Sequence, residues 1–523
     1  MPAGAWQKRT LRYLLEQTDA FVTCVELVTA RGQISDTRGR RVLSLARELA
    51  QHPGIDALSI TDNPGGNAMI GADVLGTDLI ARGQDVIIHL TCKDGNRNAL
   101  QSRGWQLASA GFNNVLALTG DYPTDGYGGL ASGVFDLDSV ALLEMFSAMN
   151  AGLPVAGEPA QRMAPTNFFL GAVVNNYKRD ERELMPQYFK LVRKINTGAR
   201  FIINQIGFDA RKQDELLKYL ALRNLNVAVL ANVYVLSAAA ARHFHAGKIP
   251  GCVVTSSLLE LCERHAASAD RGKAFFLEFA AKQCAVAKGL GFRGVYLGGH
   301  IELHDYLKVL AMAASFAADD WKDFAREFTY AQPGEFYYFE PDAATGLSSD
   351  QVNQAYLRST SPPARAAARS IAPLAYKVNR AVHHALFTEG GTGFALGAKA
   401  ARACENTGLE RVWHGVERTI KSVAFDCRDC GDCALPEIAY LCPESQCAKN
   451  QRNGPCGGTR QGKCEVGDKD CIWSLAYDRL KPYGEEETML DRPVVLRDGH
   501  LRGSSAWANA FLGRDHRGKR GGA

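Results

Sequence analysis

Eight short apolar runs recur along the first three hundred residues, and each is nearly continuous in Val, Ile, Leu and Ala. Such runs are typical of strands that are covered on both faces. Between them, apolar residues return at helical spacing, as at Val42, Leu45 and Leu49. Eight strands alternating with helices predict an α/β fold, a (β/α)8 TIM barrel. The runs are 21–28, 57–62, 85–92, 114–121, 168–175, 201–208, 226–235 and 294–301.

A doubly wound open sheet is the alternative interpretation of this alternation. Such a sheet normally has a G-x-G-x-x-G turn after its first strand, and here the first run leads into VTARGQ. We therefore favour a barrel over residues 1–320. We expect a linker or irregular segment over 321–370, a helical and cysteine-rich metal-binding domain over 371–490, and a tail over 491–523 that is disordered at its end.

The composition narrows the class of protein. The 523 residues include 60 Lys and Arg against 56 Asp and Glu, a net charge of +4. This balance argues against a nucleic-acid or membrane-surface binder, because both need a basic excess. No apolar run reaches the roughly 18 residues of a membrane span, and the start lacks the apolar segment of a signal peptide. We expect a cytoplasmic protein.

Polar residues end several of the predicted strands, where barrel enzymes build their sites. Glu26 stands between Val25 and Leu27, and burial there should raise the pKa of its carboxyl toward that of a proton donor at neutral pH. An ion pair with an interior cation is the alternative. Asp121, in LALTGDYP, serves either a site or a turn. The other candidates are Thr61, His89, Thr119, Asn175 and Gln205.

Four segments resemble methylenetetrahydrofolate reductases: VTCVELVTARG, SITDNPGGN, the stretch from IHLTC to LTGDYP, and ARFIINQIGFD. The resemblance covers roughly residues 15–310, and the third-to-fourth-strand stretch is its most specific part. It implies a flavin-binding barrel that reduces 5,10-methylenetetrahydrofolate to 5-methyltetrahydrofolate, in one-carbon metabolism and methionine biosynthesis. The flavin would relay hydride from NAD(P)H or from another donor, such as a ferredoxin-like protein.

The same resemblance implies roles for individual residues. Glu26 matches the catalytic glutamate, a general acid to the folate nitrogen, and Asp121 matches an aspartate beside flavin and folate. Gln205 matches a folate contact. Flavin-contacting positions are matched by Thr61, His89, Thr119, Asp121, Asn175 and Lys194.

The chain also departs from the family pattern. Leu27 follows the glutamate where the family has aromatic and proline residues, and Thr119 stands where Arg is common. Gln187 replaces an acidic contact to the flavin ribose. FAD and FMN therefore both remain open.

Eight of the 14 cysteines lie close together near the C-terminal end of the chain. In a reducing cytosol such a cluster predicts metal binding, and eight thiols suit two centres of four ligands. C-x2-C-x2-C steps occur both in iron–sulfur and in structural zinc sites. Iron–sulfur clusters, zinc or one of each remain open. The predicted ligands are Cys427, Cys430, Cys433, Cys442, Cys447, Cys456, Cys464 and Cys471.

This segment resembles the C-terminal domain fused to some methylenetetrahydrofolate reductases and the small cysteine-rich subunit of the acetogen enzymes, chiefly through NGPCGG at 453–458. In those relatives iron–sulfur centres pass electrons to the flavin. A module that only stabilises the barrel or joins two copies is the alternative. Two other functions are kept open: a folate-dependent methyltransferase with a zinc site, and a non-catalytic iron–sulfur redox or scaffold protein.

Overall fold

The computed structural model describes residues 8–155 and 157–518. Its strands are β1 (Val22–Leu27), β2 (Ala57–Ile60), β3 (Asp85–Thr91), β4 (Asn114–Leu118), β5 (Pro154–Val155), β6 (Glu158–Arg162), β7 (Phe169–Val174), β8 (Phe201–Asn204), β9 (Ala228–Tyr234), β10 (Gly294–Gly298), β11 (Phe339–Pro341) and β12 (Ser348–Val352). Eight of them close into a parallel barrel in the order β1-β10-β9-β8-β7-β4-β3-β2. These are the eight apolar runs, so the predicted TIM barrel is confirmed.

The first twelve helices belong to the barrel and its immediate flank. They are α1 (Leu11–Gln17), α2 (Thr37–Gln51), α3 (Ala72–Ala81), α4 (Arg97–Ser109), α5 (Ser139–Ala151), α6 (Glu181–Asn196), α7 (Ala210–Leu222), α8 (Ala238–His245), α9 (Ser256–Ala266), α10 (Lys273–Leu290), α11 (Leu303–Ser315) and α12 (Asp320–Glu327).

The later helices follow each other without intervening barrel strands. They are α13 (Gln354–Ser359), α14 (Pro362–Ile371), α15 (Leu374–Leu386), α16 (Thr392–Cys404), α17 (Gly408–Phe425), α18 (Pro443–Gln446), α19 (Ile472–Leu480) and α20 (Ala506–Phe511). Single 3-10 turns lie at Pro64–Gly66, Pro436–Ile438, Lys481–Tyr483, Glu486–Met489 and Gly499–Leu501. None of the described helices combines the length and apolar character that a membrane crossing requires.

The barrel interior is a packed core at its amino end. Inward side chains of several strands form one cluster with α1, whose Leu11 and Leu14 close the bottom of the barrel. Gly171 of β7 is part of this packing, because a Cβ there would stand 2.2 Å from the ring of Phe201. The cavity of the barrel therefore lies toward the carboxyl ends of the strands, as in barrel enzymes generally.

The segment 321–370, expected to be a linker, is more regular than the sequence indicated. It contains α12, the antiparallel hairpin of β11 and β12, and two helices. The buried carboxylate of Glu215 on α7 fixes the hairpin by accepting hydrogen bonds from the backbone amides of Tyr338 and Phe339. The Ser- and Gly-rich composition of the segment gave no sign of this contact, because the partner residue lies more than a hundred residues away in the sequence.

The tail after residue 491 is also anchored, at least through residue 518. The helix α20 packs on α16, with Phe511 in a small apolar cluster. Beyond it, buried His516 bonds the carboxylate of Asp432 through Nδ1 at 2.6 Å and lies 3.4 Å from Glu437. Burial alone would lower the pKa of His516, but these carboxylates raise it to about 9. The final residues, 519–523, expected to be disordered, lie outside the described part.

Candidate functional site

Glu26 points into the mouth of the barrel from the carboxyl end of β1. It shares the inward face of the strand with Val22 and Cys24, since alternate residues of a strand face the same side. Burial raises the pKa of its carboxyl, and a hydrogen bond that Oε2 accepts from the Tyr296 hydroxyl at 2.9 Å opposes this in part. The site thus holds a carboxyl that keeps its proton to a higher pH than a solvated glutamate does.

The Tyr296 hydroxyl joins Glu26 to a small polar network inside the barrel. It lies 3.3 Å from Oγ of Ser59 and 3.1 Å from Nε2 of His89, and Ser59 and His89 are 2.9 Å apart. Burial lowers the pKa of His89 to about 4, so its imidazole is neutral. The predicted flavin contact His89 is therefore a buried partner of Ser59 and Tyr296, two residues that the sequence analysis missed.

A cavity of about 950 Å³ opens beside Glu26, between the ends of β1 and β10. Its volume falls within the range of roughly 300–1,000 Å³ that is usual for small-molecule sites. Tyr234 and Tyr306 supply aromatic walls. Charged groups of both signs line it further out: Arg41, Glu48, Lys273, Glu302 and Asp305. Its aromatic walls suit a flat ring system such as that of folate or flavin, while its two cations are paired with carboxylates, Arg41 with Glu302 at 3.6 Å and Lys273 with Asp305 at 2.8 Å.

Asp121 lies just beyond β4 and is held by the neighbouring loop. Its Oδ2 accepts a hydrogen bond from the backbone amide of Gly65 at 2.9 Å, and the two loops are joined again where the Thr124 amide donates to the Gly66 carbonyl. Asp121 thus joins two loops, and this contact differs from the local turn that was its alternative role. Its other oxygen, Oδ1, makes no hydrogen bond to any described residue and is therefore available to a ligand.

The loop 246–255 brings Glu26, Asp121 and Gln205 to one region of the barrel mouth. Burial raises the pKa of the Cys252 thiol to about 12, and the charges of Asp121 and Glu26 both add to this, so Cys252 lies near both carboxylates. The same loop reaches Gln205, because a Cβ on Gly251 would stand 3.2 Å from its Nε2. Cys252 is buried in this region of the barrel mouth.

The remaining predicted flavin contacts have their polar groups bonded to protein. Thr119 donates to Oε1 of Gln451 at 3.2 Å, and Nδ2 of Asn175 donates to the carbonyls of Gly251 and Gly457 at 3.1 Å. Lys194 donates to the Val173 carbonyl at 2.6 Å. The hydroxyl of Thr61 donates to the Leu27 carbonyl at 3.4 Å. The structure therefore brings Thr119 and Asn175 to the cysteine-rich segment and does not bring them to the cavity beside Glu26.

Lysines of the barrel bind the backbone of the NGPCGG element directly. Lys190 donates to the carbonyls of Gly454 and Pro455 at 3.0 Å, and Lys178 donates to the Gly457 carbonyl at 2.6 Å. A lysine of the cysteine-rich segment in turn binds the barrel, because Lys449 donates to the Gly120 carbonyl, next to Asp121, at 2.8 Å. Burial and the charge of Lys190 lower the pKa of Lys194, one helical turn along, to about 7.

The eight predicted metal ligands separate into two groups of four. One group lines a small cavity next to Trp473: Cys447, Cys456, Cys464 and Cys471. In the other group, burial is the main cause that raises the pKa of Cys427, and the charges of Cys433 and Cys442 raise it further. This group also contains Cys430. Among the residues the structure describes, no three His, Cys, Asp or Glu side chains converge closely enough to hold one metal ion.

Buried cations accompany the cysteines. Despite burial, the charge of Cys430 helps to raise the pKa of Arg452, and the charge of Cys433 likewise helps to raise the pKa of Lys421. Buried cations of this kind offset the negative charge of thiolates, which are the form that binds metal. The donor set therefore fits a metal centre in chemistry and in count.

The chain forms a parallel barrel with a buried carboxyl at its mouth, and a cysteine-rich segment covers one side of the barrel. These features define the class as a barrel enzyme with an attached thiol-rich domain. Residues 36–296 match the family model for methylenetetrahydrofolate reductase, and residues 406–499 match the model for the methylene-tetrahydrofolate reductase C terminal. The chain belongs to the methylenetetrahydrofolate reductase family. A comparison with curated proteins finds no match.

Solved structures resemble the chain only distantly. One is an uncharacterized protein from Clostridium thermocellum that binds two copies of 5-methyl-5,6,7,8-tetrahydrofolic acid, at TM-score 0.39 and 12% identity over 56% of this chain and 94% of that chain. Another is oxaloacetate acetylhydrolase, at TM-score 0.31 and 14% identity over 59% of this chain and 83% of that chain. Neither likeness carries an argument about activity.

Proposed function

We propose that the protein catalyses the flavin-dependent reduction of 5,10-methylenetetrahydrofolate to 5-methyltetrahydrofolate. Membership in the family supports the reaction class. The observation that carries the proposal is the placement of Glu26, a carboxyl with a raised pKa on the wall of a cavity large enough for the substrate. Opening the five-membered folate ring requires a proton on nitrogen, and Glu26 is the donor in this proposal.

Tyr296 keeps the Glu26 carboxyl in place. Its hydroxyl holds Oε2, which leaves Oε1 as the oxygen that faces the cavity and delivers the proton. Because the tyrosine also bonds Ser59 and His89, the carboxyl is oriented by a rigid network and not by mobile solvent. Such fixed orientation is what general acid catalysis needs from its surroundings.

Asp121 supplies a fixed negative charge in this proposal. The folate cation that forms when the ring opens is stabilised by an anion held at a set position. The amide of Gly65 restrains the carboxylate, and the charges of Asp121 and Glu26 both act on Cys252 in loop 246–255, which supports a common position at the barrel mouth. Gln205, against that loop, would bind the folate.

The cofactor in this proposal is FAD or FMN, bound in the cavity beside Glu26. When bound, a flavin supplies the hydride for the folate carbon. Tyr234 and Tyr306 would flank its rings. Thr61 and His89 would support the barrel wall around it, whereas Lys194 donates to Val173 on β7, on the opposite side of the barrel.

The two cysteine groups would hold [4Fe-4S] clusters, zinc or one of each, in a domain that follows the barrel. Four thiols around one small cavity support this for the group that includes Cys456. The bond from Lys449 to the Gly120 carbonyl sets this group near Asp121, so a centre here would be well placed to pass electrons to the barrel. NAD(P)H or a ferredoxin-like donor would supply them.

The test is Glu26→Gln in protein purified without oxygen. We expect flavin absorbance near that of the wild type and a loss of folate turnover of about 10²–10⁴-fold, the usual contribution of a general acid. Glu335→Gln is the matched control, because burial also raises the pKa of Glu335, to about 7, outside this site. Full activity in Glu26→Gln, or equal losses in both variants, would contradict the assignment.

A further inference from the structure

The helix α17 exposes a row of apolar side chains to solvent, whereas an ordinary surface helix turns such a row toward the protein core. On its inner face Glu417 and Lys421 form a buried ion pair, and Glu417 accepts hydrogen bonds from Ser505 and from the amide of Trp507. These contacts fix the rotation of the helix. The outer face, which we name the α17 stripe, consists of Leu409, Val412, Val416, Ile420 and Val423, all exposed.

The α17 stripe is regular and symmetric along the helix. Its members are three or four residues apart, so they fall within an arc of roughly 80° at 100° per residue. Val416 is at the centre, and the spacing is the same in both directions from it. If a second copy is turned about a twofold axis through Val416, Val412 meets Ile420 of the other copy and Leu409 meets Val423. A twofold dimer requires this kind of self-complementarity.

Neighbouring helices extend the same kind of surface. Leu374, Val378, Val382 and Leu386 recur every four residues along α15 and are all exposed. Ile371, at the end of α14, is 85% exposed. Together with the α17 stripe and Leu396 of α16, these side chains expose on the order of 1,000 Å² of apolar surface in total, on helices of which α16 contacts both α15 and α17.

We propose that the α17 stripe is the centre of a dimer interface, in which the α17 helices of two copies of this chain pack antiparallel about a twofold axis at Val416. The area of exposed apolar surface favours a second copy of this chain as the partner. A stable interface buries about 800 Å² on each partner, and the exposed apolar side chains of α14 to α17 supply that amount. The inference is independent of the proposed enzymatic function, because α17 lies outside the barrel.

The test is the mass of the full-length chain in solution at micromolar concentration, by light scattering after size exclusion. We expect a dimer for the wild type and a monomer for Val416→Lys, because the axis brings two lysines together. Val412→Lys alone and Ile420→Glu alone should each weaken the dimer. The double variant Val412→Lys with Ile420→Glu should restore it, since each lysine then faces a glutamate of the other copy.

Cross-linking tests the same axis without adding charge. Val416→Cys should form a disulfide-linked dimer under mild oxidation, and Ser422→Cys, an exposed position on another side of the same helix, should not. All these positions are exposed, so circular dichroism should match the wild type throughout. A monomeric wild type would overturn the proposal, and so would failure of the double variant to restore the dimer, or equal cross-linking of both cysteine variants.

Discussion

Removal of the Tyr296 hydroxyl gives the most direct view of how the barrel tunes Glu26. The hydroxyl donates to Oε2 at 2.9 Å and is the one described contact that lowers the pKa of Glu26 against burial. In Tyr296→Phe only burial remains, so the carboxyl should hold its proton to a higher pH. A hydrogen bond to a charged group contributes about 1.5–3 kcal/mol. At about 1.4 kcal/mol per tenfold change, the lower end corresponds to about one pH unit.

The assay is the pH dependence of kcat/KM for methylenetetrahydrofolate reduction. The general acid must be protonated, so activity falls at high pH as Glu26 loses its proton, and Tyr296→Phe should displace this falling limb upward by about one pH unit. A readout that needs no turnover is the carbon-13 NMR titration of the labelled Glu26 carboxyl. Tyr306→Phe is the matched control, because its hydroxyl donates to the Gly299 carbonyl at 3.1 Å and does not touch Glu26.

Four results would contradict parts of this reasoning. An unchanged limb in Tyr296→Phe would mean that the hydroxyl does not act on the ionised carboxyl, and a downward displacement would mean that burial is relieved in the variant. Equal displacement in Tyr306→Phe would show a general effect of the cavity wall. A change in the NMR titration without a change in the rate profile would remove Glu26 from the role of proton donor while leaving its environment as described.

Three further predictions concern the other parts of the molecule. Asp121→Asn should slow the oxidation of reduced flavin by folate more than the reduction of flavin by its donor, measured by stopped flow, and equal slowing would exclude an electrostatic role toward folate. Cys430→Ser and Cys456→Ser should each lose about half of the bound metal while keeping flavin, because four thiols serve each centre; complete metal loss in either variant would refute two independent groups, and flavin loss would contradict separate sites. His516→Asn should lower the free energy of unfolding by roughly 3 kcal/mol at pH 6, since it leaves two buried carboxylates without their cation. Because the folded-state pKa of His516 is raised from 6.5 to about 9, its stabilisation is complete below pH 6.5 and is lost as the pH rises through 9, so the two denaturation curves should converge there; a constant gap would argue against the ion pair.

The barrel could be predicted because its signal is local. Each strand is a short apolar run bounded by polar residues, and the helices between them carry their own periodicity, so no long-range contact had to be known. Glu26 was visible for the same reason, as a single carboxyl inside an apolar run. Tyr296 gave no such signal, because an aromatic residue in a strand is ordinary core composition, and only the closed barrel brings its hydroxyl to Glu26.

Contacts between distant segments could not be predicted. The bonds from Thr119 to Gln451 and from Asn175 to Gly457 join positions about 300 residues apart. The local sequence around these residues does not indicate which distant residue each one contacts. Likewise, in the sequence the residues of the α17 stripe have the spacing of an ordinary amphipathic helix. Its unusual orientation follows from the buried pair of Glu417 and Lys421, which only the packed structure reveals.

The bonds between the barrel lysines and the NGPCGG backbone have a consequence for biosynthesis. Lys178 and Lys190 are buried and donate to carbonyls of residues 454–459 and, for Lys190, to the side chain of Gln451, all of which leave the ribosome more than 260 residues later. Until that segment is synthesised, the two ammonium groups lack these partners. The rim of the barrel is therefore completed only after the cysteine-rich segment has been made.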